Sequence, residues 1–335
     1  MNERRWLASF AAVGAALVAL TIGLAVAGYD PWLALAAMGR AAFGSPYAFF
    51  SQTLLRATPL ILVGLGVAFA FRSGALNIGA EGQFYAGAVA ATWAGVHAGG
   101  LPAPLAVCWV LVAGACAGMA WAAVPAWFRA RLGVLEVITT LLLNFVAEAM
   151  VSWMVTGPMQ EARRAYPQSE PIAAAAHLPF LTGRLHLGFA VALVLAALVW
   201  WLFARTRFGF ELRAAGAGPR AAETVAKIPV VRRLVQALLV SGAIAGLAGA
   251  IEVSGVSFVL FQNLSPGYGF TAIAVALLAR LDPRAVVLSG ILFGALEAGA
   301  AGMQRDAGVP SVVVYVVEAV VIIAILLAGR REREG

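Results

Sequence analysis

The chain has 335 residues, of which 62% are apolar and 12% charged, and its mean hydropathy is +0.90. Soluble globular proteins carry about a quarter charged residues, so this composition excludes an ordinary soluble domain and a disordered chain. Long apolar runs in place of short alternating segments exclude a membrane β-barrel, and the net charge of +7 does not signal nucleic-acid binding, because the basic residues lie between apolar runs rather than on one compact face.

Hydropathy predicts an all-α polytopic membrane protein with about ten transmembrane or partly embedded helices. They fall at roughly 7–28, 54–71, 77–98, 104–127, 134–156, 187–204, 234–254, 267–280, 285–303 and 310–328. The first run follows a charged head, MNERRW, and exceeds the about 7–15 apolar residues of a cleavable signal. It reads as an uncleaved span with the N-terminus in the cytoplasm. The eighth segment is short for a span and suits a half-helix buried in protein. With both termini cytoplasmic, 17 of the basic residues fall inside and 6 outside, as the positive-inside rule requires. One membrane domain over 1–335 is expected. It holds an outer loop at 157–186, irregular because of Pro158, Pro167, Pro171 and Pro179, and a basic inner loop at 205–233 that is compatible with helix around Ala214 and Ala221.

Ionisable residues inside spans are costly and are functional candidates. Glu81, Glu136, Glu148, Glu252, Glu297 and Glu318 lie in the runs, and no basic residue sits deep in any of them. These carboxylates therefore need water, protein donors or helix N-termini. In the segment RSGALNIGAEGQFYAGA (72–88), helical periodicity puts Asn77, Glu81, Phe84 and Tyr85 on one face. That face suits either a translocation path or a structural knot around a broken helix. In the fifth segment Glu136, Thr140, Asn144 and Glu148 recur every four residues and face one way. They suit either a pore lining or interhelical hydrogen bonds. Residues 253–270, which mix aromatics with Gln262, Asn263 and Ser265, read as an outer loop dipping toward the membrane, its aromatics suited to the interface or to stacking on a flat ligand. Cys108 and Cys116 are about 12 Å apart on one helix, too far for a disulfide, and are expected as buried packing residues. Scattered histidines give no metal site.

Lys227 is the only lysine, lies between Ala226 and Ile228, and belongs to no G-x-x-x-x-G-K-[ST] sequence. The chain has no P-loop. Hydrolase and zinc-protease motifs are also missing.

Four ordered stretches carry a resemblance: GALNIGAEGQFYAGA, then LEVITTLLLNFVA (135–147), GFELRAAGAGPRAAETVAKI (209–228) and FTAIAVALLARLDPRAVVLSGILFGALEAGA (270–300). Together they resemble the permease subunits of bacterial nucleoside and simple-sugar ABC importers, over about 54–328. The L-N-I-G-x-E-G-Q string is most similar to the branch working with basic-membrane-protein-type binding lipoproteins. The resemblance implies a non-catalytic subunit of the bacterial inner membrane. Its implied partners are a cytoplasmic ABC ATPase, a second and related permease, and an extracytoplasmic substrate-binding lipoprotein. It implies no cofactor in this chain, with ATP and Mg bound by the ATPase. The substrate path would involve Asn77, Glu81, Phe84, Tyr85, Glu136, Thr140, Asn144 and Glu148. The ATPase would couple through Gly209, Glu211, Arg213, Gly216, Pro219 and Arg220. The competing expectation is a self-contained secondary transporter that uses Glu81 or Glu148 as proton sites.

Overall fold

The computed structural model describes Val18 and residues 21–310. The last expected segment, apart from its first residue, therefore lies outside the described residues. So do Glu318 and the basic residues Arg4, Arg5, Arg330, Arg331 and Arg333. The first expected segment is helical over 21–26. The described helices are α1 (Pro31–Phe43), α2 (Pro46–Arg72), α3 (Ala80–Val96), α4 (Ala103–Leu132), α5 (Glu136–Thr156), α6 (Gly188–Arg205), α7 (Arg207–Ala217), α8 (Pro219–Thr224), α9 (Val230–Ser257), α10 (Tyr268–Leu278) and α11 (Pro283–Ala307). A hairpin of β1 (Phe180–Thr182) and β2 (Leu185–His186) precedes α6. Among the described residues, α2, α4, α5, α6, α9 and α11 are long and apolar enough to cross a membrane. The eighth expected segment is the short helix α10.

Two differences from the sequence expectation stand out. Residues 29–53, which lie between two expected segments, contain helix. Asp30 caps α1, accepting from Trp32 N at 2.9 Å and Leu33 N at 3.2 Å, and Pro31 opens it. This helix has 13 residues, too few to register as a span. α2 also starts earlier than expected, at Pro46, with Ser45 Oγ accepting from Ala48 N at 3.0 Å, and it passes through a π turn over Phe49–Thr53.

The chain forms two compact units. The first comprises the described residues up to Ala57, Thr182–Leu185, and the described residues from Ile291 onward. Its core joins Leu24, Ala34, Ala300, Met303 and Val309. Close approach is needed there: a Cβ on Gly302 would overlap Ala41 of α1, and one on Gly294 would lie 2.7 Å from Ala57 N.

The second unit comprises Thr58–Leu181 and His186–Gly290. It is built around α3, α4 and α9. A Cβ on Gly246 would overlap Gly114 O, and one on Gly118 would overlap Gly242 O. A Cβ on Gly87 would overlap Gly246 O, and one on Gly249 would overlap Phe84 O. Lipid tails provide little hydrophobic drive for helix association, so van der Waals contact at such small-residue seams holds the helices together. Gly114–Gly118 and Gly242–Gly246 each repeat at a four-residue interval, which keeps them on one face.

The seam also settles where the cysteines lie. The buried positions of α4 include Val110, Gly114, Gly118 and Ala122. Cys108 and Cys116 are exposed, contrary to the expected burial. Hydropathy alone does not separate a side facing protein from one facing lipid, and here the glycines took the protein side. His186, buried at the end of β2, accepts from Gly188 N through Nδ1 at 3.1 Å, and burial pushes its pKa down to about 4.

Candidate functional site: a clasped helix break beside a polar cavity

Between α2 and α3 the chain leaves the helix. Gly74 takes φ +85°, and α3 starts only at Ala80. Asn77 therefore lies in the break, not on the α3 face that periodicity assigned to it. It is fully buried. Its Nδ2 donates to Gln83 Oε1 and Ser241 Oγ, both at 2.8 Å. Its Oδ1 accepts from Gly79 N and from Gln83 Nε2, both at 3.0 Å. The side-chain amide thus stands in for the backbone partners that a broken helix loses.

Three members of the α5 row clasp the same break. Glu136 Oε1 accepts from Leu76 N at 3.2 Å, and Thr140 Oγ1 from Ile78 N at 3.3 Å. Asn144 Oδ1 accepts from Gly82 N at 2.8 Å, and its Nδ2 donates to Ile78 O at 2.9 Å. The sequence offered Glu136 no basic partner, yet Arg129 Nε, from the last turn of α4, stands 3.4 Å from Glu136 Oε2. That is ion-pair distance without hydrogen-bond alignment. The tight turn at Gly133, φ +67°, brings the two helix ends together.

Glu81, in the first turn of α3, reaches α10. Its Oε2 accepts from Gly269 N at 2.5 Å. Ser265 Oγ caps α10, accepting from Gly267 N at 3.1 Å and Tyr268 N at 2.9 Å. Tyr85 OH donates to Ser265 O at 3.3 Å. Phe84 and Tyr268 meet edge to face with centroids 5.7 Å apart. Two helix N-termini, each carrying partial positive charge, so converge on one internal carboxylate. A Cβ on Gly269 would overlap Glu81 N, so only glycine fits this approach.

One turn beyond Asn144, Glu148 is exposed. With Tyr85, Val151, Ser152, Gln262 and Asn263 it lines a cavity of about 180 Å³. Gln262 Nε2 donates to Ser152 Oγ at 2.7 Å. Of the residues expected on a path, Glu148 and Tyr85 come together at this cavity. Glu81 lies at the adjoining helix ends, and Phe84 is buried against Tyr268. Asn77, Glu136, Thr140 and Asn144 hold the break. Sequence reasoning saw Gln262, Asn263 and Ser265 only as the polar part of a loop. It missed Gln83, Ser152, Ser241 and Gly269, which no spacing marks.

The segment 205–233 is mostly helical. Thr206 Oγ1 accepts from Gly209 N at 3.0 Å and starts α7. Glu211 Oε1 accepts from Arg207 Nε at 2.9 Å, and its Oε2 takes Arg233 Nε at 2.8 Å together with Arg233 Nη2. The hydrogen bonds from Arg233, then those from Arg207, hold its carboxyl below the usual carboxylate range. A Cβ on Gly209 would overlap Leu202 O, and one on Gly216 would overlap Arg72 O and lie 2.9 Å from Gly74 N. Gly209, Glu211 and Gly216 thus seat α7 on α6, on α9 and on the start of the helix break. Arg213 is half-buried, and its buried Nε donates no hydrogen bond among the described residues. Pro219 and Arg220 begin α8 on the exposed side, and Val225 beyond it is also exposed.

Apolar spanning helices around a broken helix, with polar groups gathered at the break, define a membrane transport protein. Residues 49–326 match the family described as branched-chain amino acid transport system / permease component. A glucose ABC transporter permease protein from Haloferax volcanii is 36% identical, covering 98% of this chain and 88% of its own. A guanosine ABC transporter permease protein from Bacillus subtilis is 37% identical, covering 92% and 91%. A nucleoside ABC transporter permease protein from Lactococcus lactis is 32% identical, covering 88% and 83%. A second permease protein from each of these organisms matches at lower identity, 27% to 30%. The chain belongs to this permease family and is the multi-pass membrane subunit of an ABC importer in the cytoplasmic membrane. The family implies a separate ATPase and a substrate-binding protein. The self-contained secondary carrier gains no support.

Proposed function

We propose that this chain forms one half of the membrane path for a nucleoside or a simple sugar. The polar cavity lined by Glu148, Tyr85, Gln262 and Asn263, beside a hydrogen-bonded helix break, carries the reading. Near-full-length relatives named for guanosine, nucleosides and glucose support the substrate class. Glu81, Tyr85 and Glu148 are the residues proposed to meet substrate. Asn77, Glu136, Thr140 and Asn144 keep the break in shape, and Phe84 packs α3 against Tyr268 of α10.

The partner permease is proposed to be a related chain rather than a copy. Two permeases from each of three organisms are similar to this chain, one of each pair more so than the other, at 36%, 37% and 32% against 30%, 29% and 27%. Both termini and the α7–α8 segment lie on the cytoplasmic side in this reading. There the exposed start of α8, Pro219 and Arg220, meets the ATPase. Gly209, Glu211, Arg213 and Gly216 carry its movement to α9 and the helix break as a rigid element. ATP and Mg belong to the ATPase, no cofactor to this chain, and a lipoprotein delivers substrate from outside.

Affinity purification of the tagged chain from its native membranes in mild detergent, followed by mass spectrometry, tests this. Recovery of a P-loop ATPase and a related permease in near-equal amounts is the expected result. Recovery of the chain alone, transporting in liposomes without ATP, would overturn it.

A further inference from the structure

The cavity beside Glu148 has a volume of about 180 Å³. Pockets for drug-sized ligands start at about 300 Å³. This one suits a single sugar ring rather than an entire nucleoside. Its polar inventory is specific. Glu148 is exposed toward it and makes no hydrogen bond or ion pair among the described residues. Asn263 is exposed and held at φ +58°. Gln262 is already engaged with Ser152 at 2.7 Å, and Tyr85 with Ser265 O at 3.3 Å. Two groups are thus free for a ligand, a carboxylate that only accepts and an amide that does both.

The electrostatics narrow the ligand further. Converging helix N-termini favour an anion, but here the Glu81 carboxyl already occupies that position, accepting from Gly269 N at 2.5 Å. Glu148 adds a second carboxylate at the cavity wall. A phosphorylated or carboxylate ligand would meet the Glu148 carboxylate and no basic lining residue. A neutral ligand with paired hydroxyl donors meets a matching acceptor.

We infer that Glu148 is a specificity-determining residue that accepts the vicinal hydroxyls of a sugar ring, one on each carboxylate oxygen, with Asn263 bonding the same hydroxyls from the other side. A vicinal diol is shared by the ribose of a nucleoside and by glucose, so one subsite serves both substrate classes. The inference rests on the nucleoside-or-sugar reading and deepens it.

The test uses the complete importer with its own binding protein, reconstituted in liposomes, and compares uptake of guanosine with 2′-deoxyguanosine. If nucleosides are not carried, glucose and 3-deoxyglucose, which has lost both the 2,3 and the 3,4 diol, replace them. The binding protein is the same for wild type and variant, so its own preference cancels in the ratio of ratios. Loss of a hydrogen bond to a charged group changes binding by about tenfold or more. Glu148→Gln is therefore expected to cut the preference for the diol-bearing substrate by about tenfold, with uptake of the deoxy analogue falling much less than uptake of the diol-bearing substrate. Equal loss for both substrates, or an unchanged ratio at wild-type membrane levels, would overturn the inference while leaving the importer reading intact. A wild-type importer that carries neither pair would overturn both.

Discussion

Gly246→Ala sets two effects of opposite sign against each other at the centre of the seam. An added Cβ would lie 2.8 Å from Gly118 Cα and 2.9 Å from Gly118 N, and would overlap Gly114 O. Ordinary contact starts near 3.4 Å, so α9 and α4 must part by roughly half an ångström or more. Overpacking costs about 1–3 kcal/mol, and the obstacles here are backbone atoms that have no rotamer to escape into, which places the cost near 3. Alanine recovers about 1 kcal/mol of helix propensity over glycine. The net loss is about 2 kcal/mol, roughly a 30-fold shift in the unfolding equilibrium. Gly39→Ala is the matched control: it lies within α1, is exposed, and has nothing within 4 Å of its would-be Cβ. It should be neutral or stabilising by up to about 1 kcal/mol. Unfolding of both purified variants in the same detergent, followed by intrinsic fluorescence, separates the terms. A Gly246→Ala protein as stable as wild type would refute the account of the seam.

Asn144→Ala strands Gly82 N and Ile78 O, and about 1–3 kcal/mol of stability should be lost for each group left without a partner, as read by the same unfolding assay. Glu211→Gln should weaken the seating of α7 by about 1–3 kcal/mol, whereas Arg207→Ala should change stability by under about 0.5 kcal/mol, because the Arg207 side chain is 92% exposed and Arg233 only 17%. The Glu211 carboxyl is depressed in the fold, so its contribution is complete above the ordinary carboxylate value and disappears as pH falls through the depressed one. Wild type and Glu211→Gln should accordingly converge in stability in acid, as denaturation across a pH series would record. His186 is buried and pushed down to about 4, so the unfolded chain, titrating near 6.5, takes up the proton first. Wild type should lose stability as pH falls from about 6.5 to 4. His186→Asn retains an acceptor for Gly188 N and should flatten that loss in the same pH series.

Much of the fold was legible because spans advertise themselves by length and hydropathy. The segments expected at 134–156 and 187–204 are α5 and α6 to within a residue or two. Helix α1 escaped because 13 residues with an arginine are too short and too polar for a span-length window. The row on α5 was legible as a face, but what it faces was not. Its partners are backbone groups of residues 76–82, some sixty positions upstream, and a backbone N–H leaves no trace in side-chain pattern. Asn77 was misplaced for a related reason: periodicity assumes an unbroken helix, and the break around Gly74 resets it. The cavity depends on Ser152 meeting Gln262 across 110 positions, a pairing invisible to local spacing.

The glycine seam also restricts how the protein works as a machine. Backbones in direct contact are geared together, because carbonyl ridges on one helix sit in notches of the next, and sliding would require the helices to lift apart first. Helices α3, α4 and α9 therefore travel as one solid block through any transport cycle. The backbone bends sharply on both sides of α10, at Gly267 with φ +100° before it and at Arg280 and Leu281 with φ +51° and +60° after it, and the contact of Gly269 with Glu81 ties the helix to the block between those bends.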